Sequence, residues 1–189
     1  MGKSKTVRKK TKPYEIGQGT HYEIYKKLGA HRVTVGGKEG IYFAVWAPNA
    51  RRVAVVGDFN SWNFEKNYME RQGEIGIYTC FIPGVKSGDL YKFCIETAQG
   101  KRIFKADPFA NYAELRPGTA SRVTDISHLV WTDEAWMKGR REWDNKKSPL
   151  SVYEVHIGSW MRHPDGENEG FYTYSQFARE IVKYVKDMG

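Results

Sequence analysis

The chain has 189 residues, 40% of them hydrophobic, with six Trp, twelve Tyr and nine Phe, enough for one well-packed domain with appendages and too much for a disordered protein. Its net charge of +8 suggests a nucleic-acid partner, but six lysines and arginines precede the first acid, Glu15, so most of the excess lies in a short leading tail. No RNA- or DNA-binding motif follows, and no run of about 18 apolar residues could span a membrane.

Residues 1–19 read as a basic, flexible tail closed off from the rest by Pro13. No apolar segment of the signal-peptide kind follows the basic start, so a soluble, cytoplasmic protein is expected. Over Thr20–Leu28, helix formers follow a candidate N-cap threonine and precede Gly29, which suits a helix end; residues 20–32 are expected to hold a short helix.

From Gly36 the period changes to two. Ile41–Ala47 is apolar on both faces, and Arg52–Val56, Ile77–Ile82, Leu90–Glu96 and Lys101–Phe104 are further strand candidates. Turn signals separate them: residues 58–63, Pro83-Gly84, Ser87-Gly88-Asp89 and Gln99-Gly100. Short strands at this spacing predict a mainly β fold, a β-sandwich over about residues 33–125. Residues 107–123, broken by Pro108, Pro117 and Gly118, read as a long irregular segment, which is ordinarily packed against something or functional. Cys80 and Cys94 fall in strands with apolar neighbours and are expected to be buried, reduced thiols, with no metal site and no cofactor.

A helix is expected over Asp133–Trp143, and residues 126–148 read as a linker. Leu150–Ile157 alternates and reads as a strand. Beyond it Phe177, Ile181, Tyr184, Val185 and Met188 share one helical face after the capping pair Thr173 and Gln176. One strand and one helix do not make a catalytic core. Their apolar faces lack partners, so this region is expected to fray, fold back or self-associate.

Two residues stand out as candidate ligand contacts. Trp62 ends the run Gly57-Asp58-Phe59-Asn60-Ser61-Trp62, whose residue types make a tight turn between strands. An indole offered at a loop tip can lie against the C–H face of a sugar ring while its N–H finds a polar partner. The residues alone leave a second reading open, and slightly ahead: Trp62 as a cap on the sandwich core. Lys92 lies on the strand face opposite Tyr91, Phe93 and Ile95, where it is either a donor to hydroxyls or simply solvated. Glu154 and His156 share a strand face without a third partner, so a structural or substrate-lining role is expected; His163 and Asp165 sit in a loop and are expected to face solvent. No phosphate loop, nucleophile elbow or zinc-protease helix occurs, and no catalytic residue is assigned.

Taken together, several segments resemble the amino-terminal part of 1,4-α-glucan (glycogen) branching enzymes. They are Phe43-Ala44-Val45-Trp46-Ala47-Pro48-Asn49-Ala50, the Gly57–Trp62 run, residues 105–110, residues 114–121 and Tyr153-Glu154-Val155-His156-Ile157-Gly158-Ser159-Trp160. The resemblance implies an immunoglobulin-like sandwich of carbohydrate-binding module family 48, then the first strand and helix of an incomplete α-amylase-type (β/α)8 barrel at residues 149–189. It places Trp62 and Lys92 at the positions where sugar-binding relatives stack and hydrogen-bond α-1,4-glucan, the expected partner. Those relatives use a second tryptophan shortly after the lysine strand. Residues 97–102 hold no aromatic here, which implies weaker or shifted sugar contact. The implied chemistry is a retaining cleavage of an α-1,4 bond with transfer to a 6-hydroxyl, using an Asp nucleophile, a Glu acid/base and a further Asp. A (β/α)8 barrel carries such groups on later strands. The chain is therefore expected to be inactive alone, its catalytic residues lying beyond residue 189 or on a separate polypeptide. The alternative is a stand-alone glycogen-binding module with no enzymatic role.

Overall fold

Alternating apolar residues on neighbouring strands put one face of each strand into a common interior, and two sheets close over that interior. In the computed structural model, which describes residues 19–144 and 146–189, the chain divides into two units, Met1–Val130 and Trp131–Gly189. The basic tail expected at residues 1–19 lies, except for Gly19, outside the described residues.

Among its described residues the first unit holds eight strands: β1 (Gly29–Val35), β2 (Lys38–Trp46), β3 (Ala50–Gly57), β4 (Glu70–Gln72), β5 (Ile77–Pro83), β6 (Leu90–Thr97), β7 (Arg102–Lys105) and β8 (Ser121–Arg122). One sheet runs β1-β2-β5-β4; the other runs β3-β6-β7, with β8 also paired to β6. All pairings are antiparallel. Phe43, Val45, Tyr78 and Ile82 from the first sheet meet Val53, Val55, Tyr91 and Phe93 from the second in one buried cluster, which makes the unit a β-sandwich. The Phe43 and Tyr91 rings meet edge-to-face at 5.0 Å, an arrangement that adds to the area they bury.

The helix expected over residues 20–28 is confined to one 3-10 turn, Ile24–Lys26, and residues 29–32 belong to β1. Gly29 does take a left-handed conformation, φ 102°, but as the first residue of a strand. Seven residues of β1 pair with β2, and that ladder outweighs local helix preference in a segment too short to hold a helix alone.

The irregular segment before β8 is pinned rather than loose. Asp107 is buried; it accepts from the Tyr91 hydroxyl at 2.6 Å and from the Phe109 amide at 2.8 Å, and its own amide donates to Ser121 Oγ. Burial raises the Asp107 carboxyl above the ordinary range, and the Tyr91 hydrogen bond works against that. Both cysteines are free thiols, and burial pushes Cys80 up to about 12.

The second unit contains α1 (Glu134–Glu142), α2 (Ile157–Trp160) and α3 (Tyr174–Met188). Thr173 and Gln176 form a reciprocal capping box at the start of α3, satisfying donors that a helix N-terminus leaves open. The strand expected over residues 150–157 is absent: residues 151–156 carry no regular structure, and Ile157–Trp160 turns into a helix. An extended segment becomes a strand only through hydrogen bonds to a neighbour, and no described residue of this unit supplies one. Trp160 instead packs edge-on to Phe177 at 5.3 Å and to Tyr184 at 5.6 Å.

Candidate functional site

The site is built where β3 ends against the start of β6. Gly57 pairs with Tyr91, and a Cβ at Gly57 would stand 2.3 Å from the Leu90 carbonyl oxygen, so no larger residue fits this crossing. Beyond it, residues 58–60 make one 3-10 turn, and Ser61 and Trp62 both take left-handed conformations, φ 56° and 59°. Two successive non-glycine residues in that region are strained and persist only where surrounding bonds over-determine them.

Asn60 and Asp58 supply those bonds. Asn60 is buried; its Oδ1 accepts from the Gly57 amide at 3.0 Å, and its Nδ2 donates to the Val55 carbonyl at 2.9 Å and to Asn67 Oδ1 at 2.6 Å. Asp58 accepts the Leu90 amide at 2.8 Å with one oxygen and the Trp62 indole N–H at 3.3 Å with the other. The Trp62 amide donates to the Gly57 carbonyl. Trp62 is therefore held at its backbone amide and at its indole N–H while 37% of the residue stays exposed. It belongs to neither buried cluster.

Lys92 lies opposite Val56, so both point to the outer face of the β3-β6-β7 sheet. Its Nζ donates to Thr119 Oγ1 at 2.6 Å, which leaves two ammonium hydrogens for other acceptors. The face is less bare than alternation suggests. Cys94, expected to be buried, is so, and Glu96, on the same strand face as Lys92, is buried too. The chain after Trp62 folds back over them: Phe64 and Tyr68 pack on Ala54, Val56 and Cys94. Charges lock this cover in place. Arg52 donates to Glu96 at 2.7 Å, Arg102 to Glu65 at 2.6 Å, and the Arg102 guanidinium lies 4.1 Å from the Phe64 ring centre. The Arg52 hydrogen bond holds the Glu96 carboxyl below its ordinary range.

The other candidates are elsewhere and do not assemble with these. His156 Nδ1 is 3.1 Å from Ser159 Oγ at the start of α2, a local turn contact, and Glu154 is exposed. His163, expected in solvent, is mostly covered and its ring lies 5.5 Å from Tyr172, while Asp165 is exposed. Among the described residues no group of His, Cys, Asp or Glu could hold a metal ion. A cavity of about 300 Å³ lined by Arg32, Ile41, Val85, Val123 and Asp125 includes neither Trp62 nor Lys92. An aromatic platform needs no cavity.

Asp58 and Asn60 have a visible signal in the sequence, since Asp and Asn in a tight turn commonly bond nearby backbone. Thr119 has none, because its approach to Lys92 depends on the path of the whole segment between β7 and β8.

The fold is a two-sheet β-sandwich with Trp62 fixed and partly exposed in the loop after β3 and Lys92 on the outer face of β6. Residues 27–110 match carbohydrate-binding module 48 (isoamylase N-terminal domain). The chain as a whole matches the amino-terminal region of 1,4-α-glucan branching enzymes. It is 56% identical over 175 residues to that of Butyrivibrio fibrisolvens, covering 93% of this chain and 27% of the relative. The enzyme of Synechococcus sp. (strain JA-2-3B'a(2-13)) is 44% identical over 190 residues, 93% of this chain and 25% of the relative. That of Cellvibrio japonicus is 47% identical over 175 residues, 92% and 23%. The chain thus spans about a quarter of the length of the curated relatives it matches. No described helix is long and apolar enough to cross a membrane.

Proposed function

We propose that this chain is the glucan-binding part of a glycogen branching enzyme. In this reading Trp62 stacks on an α-1,4-linked glucose ring and Lys92 donates to its hydroxyls. The observation that carries the reading is the Trp62 loop: two strained residues, fixed by Asp58 and Asn60, hold a tryptophan that is 37% exposed and outside both buried clusters. A stacking residue held in its bound pose loses less entropy on binding, which is the physical use of such an arrangement. Trp62→Ala, at an exposed position, should weaken retention of the chain in glycogen-containing gels by about tenfold and leave its unfolding midpoint unchanged. Equal retention of variant and parent would move Trp62 to a purely structural role.

The transfer reaction itself we assign to residues outside these 189. In support, the acid–base pair weighed from the sequence is open to water: Glu154 is exposed and His156 Nδ1 contacts only Ser159 Oγ of its own turn. The chain alone should leave the iodine-stained spectrum of amylose unchanged; a shift caused by the purified chain would overturn that assignment. We read residues 149–189 as the opening strand and helix of a (β/α)8 barrel, with Leu150–Ile157 becoming a strand only beside its neighbours. The capping box and the one-sided apolar face of α3 support this.

A further inference from the structure

The exposed aromatic groups of the sandwich include one that neither the Trp62 loop nor the core uses. Phe104 lies in β7, the edge strand of the β3-β6-β7 sheet, and is 53% exposed. A single exposed apolar side chain means little by itself. Its register gives it weight. Phe104 pairs with Cys94, which pairs with Ala54, and Lys92 pairs with Val56, so Phe104 and Lys92 share the outer face of one sheet on adjacent strands. Trp62 stands at the same end of the sheet as Lys92, since its amide is bonded to Gly57 and Gly57 pairs with Tyr91. Phe64, two residues further on, already lies on the outer face. The chain thus reaches this face within two residues of Trp62. From β3 to β7 is two strand spacings, about 10 Å, a span wider than one sugar ring. An aromatic at each side, with a cation hydrogen-bonded to Thr119 between them, makes a diagonal track.

We propose that Phe104 is a second stacking platform, which extends the glucan-binding face from Trp62 over Lys92 and across the sheet. This rests on the glucan reading of Trp62 and Lys92, and it names the ligand more closely: an α-1,4-linked chain of at least three glucose units. The phenyl ring supplies a flat apolar surface for the C–H face of a sugar ring, and the Lys92 ammonium donates to hydroxyls between the two rings. The aromatic missing from residues 97–102 is thus supplied a few positions later, from the strand itself.

The test measures dissociation constants of maltose and maltoheptaose for the 189-residue chain and for Phe104→Ala, Phe104→Leu, Phe104→Trp and Trp62→Ala, by calorimetry or NMR titration. Phe104→Ala and Phe104→Leu should weaken maltoheptaose about tenfold and leave maltose unchanged, while Phe104→Trp keeps the parent affinity. The leucine variant keeps the apolar bulk, and a shared thermal midpoint with the parent separates a lost contact from a lost fold. Parent-like maltoheptaose binding by both truncated variants, with Trp62→Ala weakened, would overturn the role of Phe104 and leave the glucan reading standing. Equal losses for maltose and maltoheptaose would overturn the extended track. If the parent binds neither sugar, the glucan reading itself fails and this inference falls with it.

Discussion

The two units carry comparable apolar patterns and end in different states. In Met1–Val130, Phe43, Val53, Val55, Tyr91 and Phe93 are completely buried between paired sheets. In Trp131–Gly189 none of the three helices buries a described residue, and Leu150 and Val152 stay 81% and 82% exposed. Alternation and helical periodicity specify which face of a segment is apolar; they do not supply what covers it. Strands in the first unit are paired with neighbours, with one irregularity between Ala50 and Arg52, whereas the alternating segment Leu150–Ile157 has no partner strand and turns helical at its end. The same logic explains the binding face. Where Phe64 and Tyr68 cover the outer side of β3 and β6, that side becomes core; where cover stops, Trp62, Lys92 and Phe104 remain accessible.

Mutations can break this contrast. Phe93→Ala, at a fully buried position, should cost about 3–5 kcal/mol in urea unfolding of the sandwich, whereas Leu150→Ala should stay within about 0.5 kcal/mol. Similar costs at the two sites would erase the distinction. Asn60→Ala removes the acceptor for Gly57 and the donor to Val55 inside the fold, so it should cost about 1–3 kcal/mol although it lies in a loop. Thr173→Ala should take about 1 kcal/mol from α3, read as faster amide exchange in its first turn, and leave the sandwich transition untouched. A lowered sandwich midpoint would show that the units stabilise one another. Acid sharpens the picture further. The folded Glu96 carboxyl titrates below its ordinary value, so its contribution is full above that value and disappears as pH falls through the lowered one. The deficit of Glu96→Gln in thermal midpoint should therefore be widest near neutrality and close as the solution is acidified below pH of about 4. A deficit constant with pH would assign the role of Glu96 to shape, not charge.

Five strands were legible within a residue or a few at each end, because Ile41–Ala47, Arg52–Val56 and their companions alternate strongly and are bounded by turn residues. The remaining three were not. β1 contains His31, Arg32 and Thr34, β4 is Glu-Arg-Gln, and β8 has two residues; each is a strand because a stronger neighbour recruits it as an edge. α1 and α3 were legible to within a residue, since their periodicity and, for α3, the capping pair are local. For the site, the position of Trp62 at a turn and the face of Lys92 followed from residue types and alternation. The burial of Cys94 was expected from its apolar neighbours. The burial of Glu96, the Thr119 contact and the alignment of Phe104 with Lys92 were not legible, because each depends on how distant segments cross one sheet face.

The most direct test of the central claim is an NMR titration of the 15N-labelled chain with maltoheptaose. The account predicts saturable shifts gathered at the Trp62 indole N–H, at residues 57–63 and 90–94, and along β7, with the β1-β2-β5-β4 sheet unmoved. Saturable shifts confined to that other sheet, or none at all, would contradict it.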